Sequence, residues 1–143
     1  MTAAAGHGER VSAAEHPNAA KLRALFDAFV KHDVETVQEV LAEDVEWRFP
    51  GRVGRLAGAH RGHAEVFRFL LEVQELTDGT FSVEIEDVIA NDRVAVVLFR
   101  GSGVREGRTL DNPTALKVRF DGGRVVAVDE FVWDLYAVDE FWS

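Results

Sequence analysis

Apolar residues in the first half of the chain recur every three or four positions. Leu22, Leu25, Phe26, Phe29 and Val30 form one such stripe, which predicts an amphipathic helix led in by Pro17. A shorter helical pattern carries Val34, Val37, Val40 and Leu41, with Asp33 as its N-cap, and packs on the first. Val45 to Phe49 reads as a short strand stopped by Pro50-Gly51, and a glycine-rich connection runs on to Gly62. The third helix has Val66, Phe67, Leu70, Leu71 and Val73 on its face, before Asp78-Gly79 breaks it.

From Phe81 the period changes to two. Phe81, Val83 and Ile85 alternate with Ser82, Glu84 and Glu86, as in a half-buried strand. Val94 to Val104, Thr109 to Phe120 and Arg124 to Tyr136 read as further long strands. They are joined at Asn91-Asp92, at a loop around Gly107 and at the hairpin signal Asp121-Gly122-Gly123. Helices first and antiparallel strands after them predict an α+β fold. Residues 1–16 show no periodicity and read as a loose N-terminal tail, leaving 17–143 as a single domain.

Composition narrows the function. The 143 residues are 47% hydrophobic and 10% aromatic, enough for one sizeable core. Twenty-five acids against sixteen bases give a net charge of −9, which repels nucleic acid and anionic membrane alike. With no cysteine there is no disulfide framework, thiolate nucleophile or cysteine-ligated zinc, in keeping with a cytoplasmic protein. No apolar run has the length of a signal peptide core or a membrane span. His60 and His63 lie three apart with no regular ligand geometry, so no metal is expected, and the absence of a phosphate-binding glycine loop or dinucleotide fingerprint implies no cofactor.

Several segments carry a resemblance. They are the run from Leu41 to Gly51 (LAEDVEWRFPG), Leu56-Ala57-Gly58 with Arg61-Gly62, Leu76 to Phe81 (LTDGTF), Gly107 to Asn112 (GRTLDN), and the ending Glu130 to Tyr136 with Asp139 to Trp142. Over residues 17–142 the chain resembles the SnoaL-like branch of the nuclear transport factor 2 and ketosteroid isomerase superfamily. The resemblance implies a cone-shaped α+β barrel, with three N-terminal helices packed on a strongly curved, mainly antiparallel sheet. It also implies a hydrophobic pocket in the cone and a homodimer formed through the sheet. Members include ketosteroid isomerases, epoxide hydrolases, polyketide cyclases and non-catalytic binding proteins, so fold is implied more sharply than function.

The family's catalytic positions are largely replaced here. Where ketosteroid isomerases carry a tyrosine, an aspartate and a second acid, this chain has Leu25 or Phe26, Phe49 and Leu116, which can neither donate to an oxyanion nor shuttle a proton. Of the aspartate, arginine and aspartate set of the epoxide hydrolases, Arg100 and Asp134 are matched, but Ser102 stands in place of the first acid. Strand alternation puts Val126, Val128, Glu130, Val132, Asp134 and Tyr136 on one face. The carboxyls of Glu130 and Asp134 would then lie about 13 Å apart by backbone rise, each able to gain a raised pKa beside an apolar space. Asp134, Glu130 and Arg100 are the catalytic candidates, with an Arg100–Asp134 ion pair as the structural alternative. Trp47, Asn112 and Thr114, together with the residues at the replaced positions and Tyr136, are the substrate-binding candidates. Gly101, Gly103 and Gly107 could make the hairpin mouth a lid, or simply a flexible turn. Phe131 and Trp133, on the opposite face, suit a dimer interface, and Phe141 and Trp142 suit a cap on the barrel end.

Three functions compete. One is a polyketide cyclase that folds a hydrophobic, polyene-like substrate into a ring, including by [4+2] cycloaddition, with only one or two polar contacts. Another is an acid/base isomerase, aldol-type cyclase or epoxide-opening enzyme working through Asp134. The third is a ligand-binding module without turnover.

Overall fold

In the computed structural model, residues 15–143 are described. Helix α1 (Pro17–Lys31) starts with Pro17 at its first position, and the His16 ring accepts the Asn18 N–H at 3.0 Å in place of the usual hydroxyl or carboxylate cap. Glu15 pairs with Arg23 and His16 with Asp92, so these two residues of the predicted loose tail are held to the domain; the rest of that expectation lies outside the described residues. Leu22, Leu25 and Ala28 are buried, but Val30, predicted on the same face, is exposed because the buried arc is narrower than the apolar stripe. Helix α2 (Val34–Val40) is capped by Asp33 as expected, its carboxylate accepting the Thr36 N–H at 3.2 Å.

Strand β1 (Leu41–Phe49) takes in Leu41, expected in the second helix, and begins four residues before the predicted strand. The glycine-rich connection contains a short strand, β2 (Gly58–Arg61), antiparallel to β1. Helix α3 (Gly62–Leu76) buries Val66, Phe69 and Val73, so Phe69 belongs to the inner face while Leu71, predicted there, is exposed. Strands β3 (Ser82–Ala90), β4 (Val94–Arg105), β5 (Arg108–Asp121) and β6 (Arg124–Val132) follow. The last predicted strand stops at Val132, four residues short of Tyr136. The chain turns at Trp133, whose N–H donates to the Pro113 carbonyl, and enters a fourth helix, α4 (Leu135–Phe141).

The six strands form one sheet in the order β2-β1-β6-β5-β4-β3, antiparallel except where β1 runs parallel to β6. Long strands accumulate right-handed twist, and a bulge between Arg119 and Phe120 against β6, with another between Ile85 and Asp87 in β3, adds bend. The sheet therefore curls into a cone, with α1 laid against β3 and β4 and α3 against β1 and β2. Its inner face carries Ala95, Val97 and Phe99 from β4 and Leu116, Val118 and Phe120 from β5, all buried. The described helices include none long and apolar enough to cross a membrane.

Candidate functional site

Strand β6 sends alternate residues into the cone, and one of them is charged. Val128, Glu130 and Val132 face inward, opposite Val118, Leu116 and Thr114 of β5. The bulge in β6 takes Val126 out of this alternation, and Val125 faces Phe120 instead. Glu130 retains some accessible surface, yet its carboxyl is surrounded by protein. The indole N–H of Trp47 donates to Glu130 Oε1 at 2.9 Å. Desolvation pushes the Glu130 carboxyl from its ordinary value up to about 7, and the Trp47 hydrogen bond, which favours the ionised form, offsets part of that rise. Glu130 is therefore present in both protonation states near neutrality, and can give or take a proton there.

An aromatic wall extends from Trp47. Trp47 is buried, with ring centroids 6.1 Å from Phe29 and 5.9 Å from Phe69. Phe69 also lies 5.6 Å from Phe49, and Phe26 lies 5.7 Å from Phe99. Phe26 and Phe49 are half-buried, Leu25 is buried in the core, and Leu116 stands directly across from Glu130. A second polar pair shares the inner face. Asn112 and Thr114 are buried, and the Asn112 amide donates to Thr114 Oγ1 at 2.8 Å. Thr114 is the diagonal cross-strand neighbour of Glu130 on the same inner face, with the two residues' backbones about 7–8 Å apart.

Other candidates lie elsewhere. Asp134 is not on a strand in the cone: it is the exposed N-cap of α4, its carboxylate accepting the Ala137 N–H at 3.0 Å. Tyr136 is 89% exposed on that helix, and it lines an open surface hollow with Asp134 and Val53. Arg100 sits on the outer face, because the β4–β5 register puts it opposite Pro113 in the row of Lys117 and Arg119; it pairs with Asp111 at 2.6 Å and not with Asp134. Ser102 shares that outer row and bonds Ser82 at 3.1 Å. Gly101 and Gly103 are buried within β4, pressed under Phe81, where a Cβ on Gly101 would come within 3.1 Å of the ring. They form a seat for that ring and not a hinge. Glu106 (φ 52°) and Gly107 (φ 78°) alone make the turn, a tight two-residue hairpin in place of the predicted open loop. His60 and His63 turn to separate carbonyls, of Leu56 and Leu41, and among the described residues no cluster of three or more His, Cys, Asp or Glu is placed to hold a metal.

Phe69 and Phe99 escaped the sequence reading. Phe99 carried no signal of its direction, because Val94 to Phe99 is apolar on both faces and the β4–β5 register decides that Ala95, Val97 and Phe99 face in.

The SnoaL-like domain model matches residues 22–128. An uncharacterised protein of Mycobacterium tuberculosis strain H37Rv is 35% identical over 123 residues, 85% of this chain and 93% of that protein. The chain belongs to the SnoaL-like family. Among solved structures, Bal32a from a soil-derived mobile gene cassette is 34% identical with a TM-score of 0.83, covering 88% of this chain and 96% of its own. The fold also matches a putative SnoaL-like polyketide cyclase from Jannaschia sp. CCS1 at a TM-score of 0.73 and 20% identity, over 90% of this chain and 96% of the other.

In this SnoaL-like cone the carboxyl of Glu130 lies on the inner face of β6 against buried Trp47, and the acid pair expected from Glu130 and Asp134 does not form. The two acids should thus respond differently to mutation. Asp134→Ala removes a helix cap and should lower stability by about 1 kcal/mol, within the usual range for such caps, while ligand binding in the cone is unchanged. Chemical denaturation alongside ligand titration checks both halves.

Proposed function

We propose that the protein is a small-molecule cyclase or isomerase of the polyketide-tailoring kind, working on a hydrophobic substrate held in the cone with Glu130 as its proton-bearing group. The observation that carries this reading is the Glu130 carboxyl, desolvated by burial on the inner face of the sheet and hydrogen-bonded to Trp47. The aromatic wall would fold an extended apolar chain into a reactive conformer, a contribution worth several kcal/mol when reacting atoms are held close. Protonated Glu130 would then donate to a carbonyl of the substrate, polarising it for ring closure, including a [4+2] closure of a conjugated polyene. The Asn112–Thr114 pair would hold a second oxygen of the same molecule. Membership of the SnoaL-like family and the likeness of fold to a putative polyketide cyclase support the class of chemistry, and the Glu130 environment supports the role.

The test is to incubate purified protein with small molecules extracted from a natural-product-producing bacterium and follow them by liquid chromatography and mass spectrometry. A feature converted at unchanged mass but altered retention is the expected result. A ligand retained on the protein and released unaltered would overturn turnover.

The outer face of the sheet suggests the partner, a second copy of this chain. Phe131 is 58% exposed and Trp133 85% exposed, beside the half-buried Leu98 and Ala115. Large aromatics left open on a sheet face are the composition of an interface core. Phe131→Glu combined with Trp133→Glu should convert a dimer to a monomer in analytical ultracentrifugation, and a wild-type protein that sediments as a monomer at every concentration would refute the pairing.

A further inference from the structure

The outer face of the sheet is charged at both ends of its strands, with opposite signs. Its apolar centre is the row of Phe131 on β6, Ala115 on β5 and Leu98 on β4, which the strand registers set side by side. Toward one end the next rows hold Lys117 and Arg119, with Arg48 of β1 beside Asp129. Toward the other they hold Asp111 on β5 and Glu84 on β3, with Arg100 of β4 between them.

Within the chain these charges are unevenly matched. Arg48 pairs with Asp129 and Arg100 with Asp111. Lys117, Arg119, Glu84 and Glu86 are exposed and have no ion-pair partner among the described residues. One end is left with an excess of positive charge and the other with an excess of negative. Along β5 the two signs are also evenly spaced, since Asp111 and Arg119 each lie four residues from Ala115, on the same face and about 13 Å to either side of it.

Two identical sheets packed face to face are related by a two-fold axis lying in the plane between them. An axis along the strands keeps every row over its own row, so positive end meets positive end and negative meets negative, an arrangement that like charges disfavour. An axis across the strands reverses the partner's strands and lays each end over the opposite sign. Packed sheets sit about 10 Å apart, a gap that an arginine and an aspartate side chain together span.

We propose that two copies of this chain pack outer face to outer face about a two-fold axis that crosses the strands at Phe131, Ala115 and Leu98, so that Arg119 of one copy meets Asp111 of the other. Asp111 then accepts from two guanidiniums, Arg100 of its own chain and Arg119 of the second. That the copies pair rests on the exposed aromatics described above; the axis and its register rest on the charges.

Charge reversal tests the register by analytical ultracentrifugation. Arg119→Asp and Asp111→Arg should each weaken self-association at least about tenfold relative to wild type, because each sets like charges opposite one another. Mixed in equal amounts, the two variants should form a heterodimer about as tight as the wild-type dimer, and the variant carrying both changes should self-associate again. Rescue in the mixture separates contact between copies from an effect within one chain, since Asp111→Arg lacks its bond to Arg100 in the mixture as much as alone. A wild-type dimer with no rescue in the mixture overturns the register and leaves the dimer standing. A wild type that stays monomeric sinks both.

A cross-link gives a second readout that leaves Asp111 in place, and so decides the matter if Asp111→Arg does not fold. The chain has no cysteine, so one introduced thiol is the only one. Ala115→Cys, on the axis, should be joined to its own copy by a short bis-maleimide, whereas Arg119→Cys, about 26 Å from its copy along the strands, should not. Linking at both positions is the result for an axis along the strands and would overturn the proposal, as would a dimer in which Ala115→Cys is not linked.

Discussion

Glu130→Gln is expected to lower the rate of ring closure by about 100-fold or more, the usual worth of a positioned proton donor, and to stabilise the protein above neutral pH. Both effects come from one cause. Glutamine keeps the shape and can still accept the Trp47 N–H, but it carries no proton that can be given up and no charge that must be buried. The folded protein holds the Glu130 proton up to about pH 7, whereas the unfolded chain releases it near 4.5. Between those values the folded state binds more protons than the unfolded, so stability contributed by this group is fully present below pH 4.5 and declines as pH rises, levelling off above 7. The whole decline is on the order of 3 kcal/mol, as an upper bound. Glu130→Gln should therefore unfold at higher urea than wild type at pH 8 and at nearly the same urea at pH 5. Catalysis by the protonated form predicts that wild-type kcat/KM falls about tenfold per pH unit above 7. A wild-type rate that instead rises through pH 7 would make Glu130 a general base and not a donor.

Trp47→Phe should move that titration upward. The Trp47 hydrogen bond is the contact that favours the ionised carboxylate, and without it burial acts unopposed. The descending limb of the pH profile is expected to shift to higher pH by up to about one unit, with a larger fraction of wild-type activity retained at pH 8 than at pH 6. Phenylalanine leaves most of the packing against Phe29 and Phe69 in place, whereas Trp47→Ala empties a core site and should cost about 3–5 kcal/mol. A limb that stays at wild-type pH in Trp47→Phe would reduce Trp47 to a packing residue.

This asymmetry between Glu130 and Asp134 marks how far sequence reaches. Both acids stand on one parity of one apparent strand, and only one enters the cone. Glu130 lies inside a run whose valines alternate, so its inward direction follows from the period of two. Asp134 lies past the point where that run ends, and the ending depends on the Trp133 N–H finding the Pro113 carbonyl of the neighbouring strand and on the Asp134 carboxylate capping a helix. The direction of Arg100 was equally hidden. From Val94 to Phe99 the strand is apolar on both faces, so alternation has nothing to alternate, and the facing is decided by register with β5. Strand β2 is four residues with no apolar pattern and exists because β1 offers it an edge.

What local chemistry imposes was therefore legible: three helices from a period near 3.6, long strands from a period of two, and Asp33 as a cap, while the cone followed only from the family resemblance. The helices, strands and cap depend on neighbours within a turn or a hairpin. The length of the last strand, the fourth helix, the faces of β4 and the proton affinity of Glu130 depend on groups far along the chain. Trp47 and Glu130 are 83 residues apart, and the carboxyl is perturbed because folding buries it and sets it against Trp47. Desolvation belongs to the assembled surroundings of a group, and only the tertiary structure sets it.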